Sequence, residues 1–205
     1  MTARVLLLHG LWMPRATMHR LASRLRSAGF QPEIFGYPTV AGGPDVARPR
    51  LVEQLRQGPA HVVAHSLGGL VTLSTLELEP GLPVERVVCL GSPLCGSSAA
   101  GGISRIRWVA PALGASAQLL RSGCKQWGGK APVGMVAGRT PLGLGQFFGG
   151  IRGDSDGTVA VEETRLPGLA DHVVVSSSHT GLLLSATACR QTIHFLREGR
   201  FLHPA

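Results

Sequence analysis

Residues 60–70 read A-H-V-V-A-H-S-L-G-G-L, an apolar strand pattern that passes through a sharp turn directly into a helix pattern. Ser66 stands at the turn. Such an elbow lifts a side chain to the carboxyl end of a sheet. It also sets the amide of the next residue, Leu67, at a helix amino terminus, where the dipole favours negative charge. A serine hydroxyl is a weak nucleophile unless it is exposed, paired with a base and faced by oxyanion donors. An elbow supplies the first and last of these. The tight turn calls for small residues two positions either side of the serine, and Ala64 and Gly68 occupy them. Ala64 departs from the usual glycine by one methyl. An ordinary strand–loop–helix connection would read similarly, so the assignment rests on the rest of the chain.

Strand and helix patterns alternate throughout. Residues 5–9 (V-L-L-L-H) form a continuous apolar run, as expected of a strand buried on both faces. Residues 15–28 predict a helix with Met18, Leu21, Ala22 and Leu25 on one face, ended by Gly29. Residues 31–35 predict a second strand. Residues 45–57 predict a helix in which Pro49 lies near the first turn or interrupts it. After the elbow (strand 61–64, helix 67–78) come strands at 84–90, 133–137 and 172–175. The last helix is expected at 182–198, with Leu183, Ala186, Ile193 and Leu196 towards the sheet. Residues 96–131 form an irregular excursion, with a helix expected near 115–121. The alternation predicts one α/β domain over 1–205: a mostly parallel six-stranded sheet with helices on both faces and ligands bound at the strands' carboxyl ends.

The chain has 205 residues, 44% hydrophobic and 5% aromatic, so its core is mostly Leu, Val and Ala. Its net charge of +8 comes from scattered arginines, read as a solvated basic surface. No zinc finger, aromatic RNA-binding signature or dense basic run accompanies them, and no nucleic-acid partner is expected. Cys89, Cys95, Cys124 and Cys189 form no CxxC pair, which predicts reduced thiols and no metal site. There is no phosphate-binding G-x-x-x-x-G-K-[ST] loop, and the first strand is not followed by G-x-G-x-x-G; no cofactor is expected. The first strand begins at Arg4 or Val5 and no apolar run is long enough for a membrane span. The expected location is therefore the cytoplasm, without membrane insertion.

A nucleophilic serine on such a sheet needs an acid and then a histidine further along the chain, each after a strand's carboxyl end. His179 meets this, four residues past the last strand; His172 lies at that strand's other end, and His194 and His203 lie in the helix and tail. Asp154 and Asp156 in G-D-S-D-G-T-V both follow the fifth strand. Gly157, tolerant of positive φ, favours Asp156 by letting the chain turn beneath that carboxylate. H-G-L-W after the first strand can bring the Leu11 amide to the site as a second oxyanion donor. His9 and His65 read as structural residues. Trp12, Met13, Leu94, Trp108, Leu142, Leu144, Phe147 and Phe148 lie in loops or in the excursion, and either line an apolar acyl pocket or pack the core.

The motifs H-G-L-W, A-H-S-L-G-G, G-S-P-L-C-G-S, D-G-T-V and S-H-T-G-L-L, in this order and spacing, resemble the alpha/beta-hydrolase superfamily, in particular its small lipase/esterase group with minimal six-stranded cores. The resemblance implies Ser66 as nucleophile, Asp156 as acid, His179 as base, and Leu11 and Leu67 as oxyanion donors. It implies a serine hydrolase that cleaves small-molecule esters through an acyl-enzyme, and the large apolar loop residues suggest that the acyl groups are apolar. A thioesterase or amidase would use the same triad, and a catalytically idle copy would serve as a binding module.

Overall fold

The computed structural model describes residues 2–97, 114–142 and 153–203. Its six strands are β1 (Arg4–Leu8), β2 (Gln31–Phe35), β3 (Ala60–His65), β4 (Val84–Leu90), β5 (Val133–Gly138) and β6 (Asp171–Val175). They form one sheet in the order β2-β1-β3-β4-β5-β6, and every pairing is parallel. The mostly parallel sheet expected from the alternation is thus wholly parallel.

Period-two alternation along the strands divides the core between the two faces. Leu6 and Leu8 of β1, Val62 and Ala64 of β3 and Val87 and Cys89 of β4 lie in one buried cluster. That cluster includes Ala47, Leu51 and Leu55 of α2 (Gly43–Leu55) and Leu67, Leu70, Val71 and Leu73 of α3 (Leu67–Leu78). Val5 and Leu7, with Val63, Val88 and Leu90, lie in the other cluster. There they join Leu21, Ala22 and Leu25 of α1 (His19–Ser27) and Ala188, Phe195 and Leu196 of the last helix. This two-sided burial explains why the central strands are apolar runs rather than alternating patterns.

Helix α3 has no polar face in its first ten residues, all of which are buried. Its hydroxyls are satisfied within the helix: Thr72 donates to the Gly68 carbonyl at 2.8 Å and Thr75 to the Val71 carbonyl at 2.7 Å. The elbow therefore opens into a helix sealed inside the domain, which gives Ser66 a rigid mount.

The helix boundaries differ from expectation in three places. Helix α2 starts at Gly43 and runs through Pro49. The amide missing at Pro49 would have served the carbonyl of Asp45; both residues are exposed, so water can satisfy that carbonyl. Residues 15–18 form a 3-10 turn before α1. The last helix is likewise preceded by a 3-10 turn, Thr180–Leu183, and begins only at Ala186. Ser185 caps it, its side chain accepting from the Ala188 amide at 3.2 Å. The break shifts the helical phase, so Ala186 is exposed and Ile193 half-buried, while Ala188, Cys189, Phe195 and Leu196 face the sheet. The Phe195 ring packs on Gly134 of β5, where a Cβ would lie 2.5 Å from it.

Of the irregular excursion, residues 98–113 lie outside the described part. The remainder holds a short helix α4 (Ala117–Ser122) and is tied back by Ser97 donating to Leu120 and Cys124 donating to Leu94. The last helix is α5 (Ala186–Glu198). Among the described residues, no helix is long and apolar enough to cross a membrane.

Candidate active site

Ser66 has φ 53° and ψ −122°. Positive φ in a residue with a Cβ costs about 1–3 kcal/mol and persists only where the surroundings enforce it. Here the Ser66 amide donates to Leu90 of β4 at 2.9 Å, and the Ser66 carbonyl accepts from Gly69 at 3.0 Å. Gly68 makes the turn possible by close approach: a Cβ there would sit 3.0 Å from the carbonyl oxygens of both Leu8 and His9. Ala64, in place of the usual glycine, is fully buried beside Leu8 of β1 and Cys89 of β4, so its extra methyl becomes core.

The loop after β1 lies against this elbow. A Cβ on Gly10 would stand 2.9 Å from the Ser66 Cβ, so only glycine lets the loop come so near. The Gly10 carbonyl accepts from the Met13 amide at 3.4 Å and lies 3.0 Å from His9 Nδ1. A trans peptide aims its N–H opposite to its C=O, so the Leu11 amide points away from those partners. Trp12 is the other described non-glycine residue at positive φ, and its amide donates to the Thr39 hydroxyl at 3.3 Å. Tyr37 anchors the loop from below: its hydroxyl donates to the His9 carbonyl at 2.8 Å and its ring stacks on His9 at 4.7 Å. Leu67 is the first residue of α3, where an amide has no intrahelical acceptor.

His179 follows β6 and is joined to Asp156 twice. Its Nδ1 lies 2.7 Å from Asp156 Oδ2, and its backbone amide donates to the Asp156 carbonyl at 2.9 Å. Asp156 is only 1% exposed, and its Oδ1 accepts from the amides of Thr158 (2.9 Å) and Val159 (2.8 Å). Gly157, at φ +91°, turns the chain so that these amides face back to the carboxylate. Asp154 is exposed, and its carbonyl accepts from Val161. The structure thus brings Asp156, not Asp154, to His179. Gly91 at the end of β4 lies beneath the pair: a Cβ there would meet Asp156 Oδ2 at 3.0 Å and His179 Nδ1 at 3.3 Å.

His65 has a part that its position beside Ser66 does not reveal. Its Nε2 lies 3.0 Å from the His179 carbonyl oxygen, and the two rings are 4.6 Å apart. Complete burial, with His179 adding to it, pushes the His65 pKa down to about 3, so the ring is neutral at pH 7. Since a carbonyl oxygen only accepts, Nε2 carries the proton and donates it. His65 therefore holds the backbone of His179 in place from the strand that carries Ser66. The contact joins residues 114 apart, so no local pattern announces it.

The expected acyl-pocket residues are dispersed. Trp12 is exposed (45%) and Leu142 more so, while Met13 is half-buried with its sulfur against Gly10. Leu94 has no exposed surface and belongs to the α2–α3 core cluster; of the two roles open to it, packing is the one it fills here. Trp108, Leu144, Phe147 and Phe148 lie outside the described residues. Among the described residues no cluster of His, Cys, Asp and Glu could hold a metal ion.

No family model and no curated protein matches this sequence. Solved structures do match in three dimensions. The mature lipase BlEst2 of Bacillus licheniformis superposes with a TM-score of 0.75 at 20% identity, over 95% of this chain and 91% of its own. The metagenomic carboxyl esterase MGS0156 gives 0.68 at 15% identity, over 86% of this chain and 64% of its own. The carboxylesterase CesB (YbfK) of Bacillus subtilis gives 0.56 at 16% identity, over 96% of this chain and 84% of its own. With the elbow at Ser66 and the strand-end loops converging on it, the likeness has one meaning: the chain has the alpha/beta-hydrolase fold shared by these bacterial lipases and esterases.

Proposed function

We propose that the chain is a serine hydrolase acting on small carboxylic esters with apolar acyl groups. The observation that carries this reading is the Asp156–His179 pair at 2.7 Å, whose histidine packs against His65, the residue next to a serine forced to positive φ. With Nδ1 turned to Asp156, the Nε2 of His179 is left to take the Ser66 proton as the oxygen attacks the acyl carbonyl. Asp156 holds the ring in that tautomer and stabilises the imidazolium. The Leu11 and Leu67 amides receive the oxyanion. His179 then returns its proton to the departing alcohol, and a water attacks the acyl-enzyme by the same route, releasing the acid and restoring Ser66. Lipase and esterase neighbours of the same fold support this choice among acyl transfers.

The experiment is labelling with a fluorophosphonate, followed by a panel of p-nitrophenyl esters of increasing acyl length. Labelling of wild type but not of Ser66→Ala, with turnover of apolar acyl esters, is the expected result. An unlabelled, folded wild-type protein would point instead to an idle binding module.

A further inference from the structure

A groove of about 490 Å³ opens at the carboxyl ends of β1 and β2. Buried His9 and Tyr37 lie at its floor, Met13 on its wall, and exposed Arg15 and Arg50 at its rim. Met13 adjoins the elbow: its sulfur and the Ser66 Cβ lie 3.3 and 2.9 Å from one and the same point, the place of a Cβ on Gly10, while Ser66 itself lies outside the groove's lining.

The two arginines are exposed, and their heads are unneutralised. The Arg50 guanidinium sits over the Phe35 ring at 5.7 Å, and the Arg15 side chain passes beside Gly36, its Cδ 3.5 Å from the place of a Cβ there. Among the described residues neither has a carboxylate partner within salt-bridge distance, and no carboxylate lines this groove. Arg15 and Arg50 also line the adjoining groove along the β2 edge, together with Glu33 and Glu53; Glu33 is already engaged by Arg4 at 2.9 Å and Gln54 at 2.8 Å. A guanidinium offers a planar fork that matches a carboxylate or phosphate. Two such forks at the rim of a groove whose Met13 side chain adjoins the elbow are placed to read an anion on a bound substrate.

We propose that this groove seats the alcohol half of the ester, and that Arg15 and Arg50 bind a phosphate or carboxylate carried on it. The assignment to the alcohol half rests on the function proposed above, which gives the acyl half to apolar contacts.

The test compares three esters: monobutyrylglycerol, its 3-phosphate, and the monobutyryl ester of glycerate. In wild type at low salt, at least one anionic ester should exceed the neutral one in kcat/KM by about tenfold, the strength of one added charge-assisted hydrogen bond. The gain should sit in KM, shrink as salt rises, and collapse in the Arg15→Gln/Arg50→Gln variant. Which anionic ester gains distinguishes phosphate from carboxylate. Equal or poorer turnover of both anionic esters, or a preference untouched by the double substitution, overturns the proposal. If wild type hydrolyses no ester, the hydrolase reading fails on its own, and calorimetric titration with glycerol 3-phosphate and with glycerate decides the anion site. Saturable binding lost in the double variant supports it, and no binding to wild type overturns it.

Discussion

Strands β3 and β6 each carry a histidine near both ends, and the two ends treat them differently. At the amino ends His61 and His172 find their partners separately. His61 Nε2 lies 3.2 Å from Glu85, and His172 Nε2 lies 2.8 Å from the Thr164 hydroxyl. At the carboxyl ends His65 and His179 meet each other, and through them Asp156. Side-chain type is the same at both ends; what differs is the loops. At the carboxyl end the turns after β1, β3, β4 and β6 crowd together, with Gly10, Gly68 and Gly91 admitting the approach. One end thus holds a shared cluster and the other only separate local bonds.

Substitutions can break this contrast. The largest effect is expected from Ser66→Ala, which should leave the fold intact and lower turnover on the order of a million-fold, as loss of a triad nucleophile does. Circular dichroism and steady-state hydrolysis of one ester check both parts. Asp156→Asn comes next, with a loss of roughly ten thousand-fold because the amide favours the wrong histidine tautomer. Asp154→Asn should change little, since that side chain is exposed two residues away. Reversal of these two effects in the same assay would misplace the acid.

His65→Phe sharpens the contrast at intermediate size. Phenylalanine keeps a ring against His179 but cannot donate to its carbonyl. A shift of the base by an ångström can cost about a hundred-fold, so kcat should fall by up to that factor with KM nearly unchanged. A variant with wild-type kcat would reduce His65 to packing.

The smallest effect belongs to the amino end and to stability. Burial holds the His172 pKa down at about 4, against an ordinary value of 6.5. Between those values the unfolded chain binds more protons than the folded one, so stability rises with pH. The contribution is complete above about pH 6.5 and is lost as pH falls towards 4. His172→Gln, which can still donate to Thr164, should therefore lose less in Tm between pH 7 and pH 4 than wild type, with no change in kcat at pH 7. Parallel Tm profiles for the two proteins would remove His172 from the acid response.

The family resemblance read in the motifs and the superposition on lipases and esterases agree on the fold, although no sequence comparison reaches it. Single residues were harder to read. The break at Ser185, which turns Ala186 outward, depends on one capping hydrogen bond that helical periodicity does not register. Leu94 reads equally as pocket or core, because burial depends on what packs over it from elsewhere. Pro49 does not end α2, because its missing bond falls on the solvated side.

By itself the sequence determined whatever depends on neighbours along the chain. The apolar runs specify strands buried on both faces, the small residues around Ser66 specify an elbow, and Gly157 specifies the turn under Asp156. Such features follow from sterics and burial within a few residues. Only the tertiary structure decided the strand order β2-β1-β3-β4-β5-β6, the union of Asp156 with His179 across 23 residues, and the grip of His65 on His179 across 114. These contacts form between segments whose separation along the chain carries no local signal; they exist because parallel strands, packed from both sides, bring distant loops to one end of one sheet.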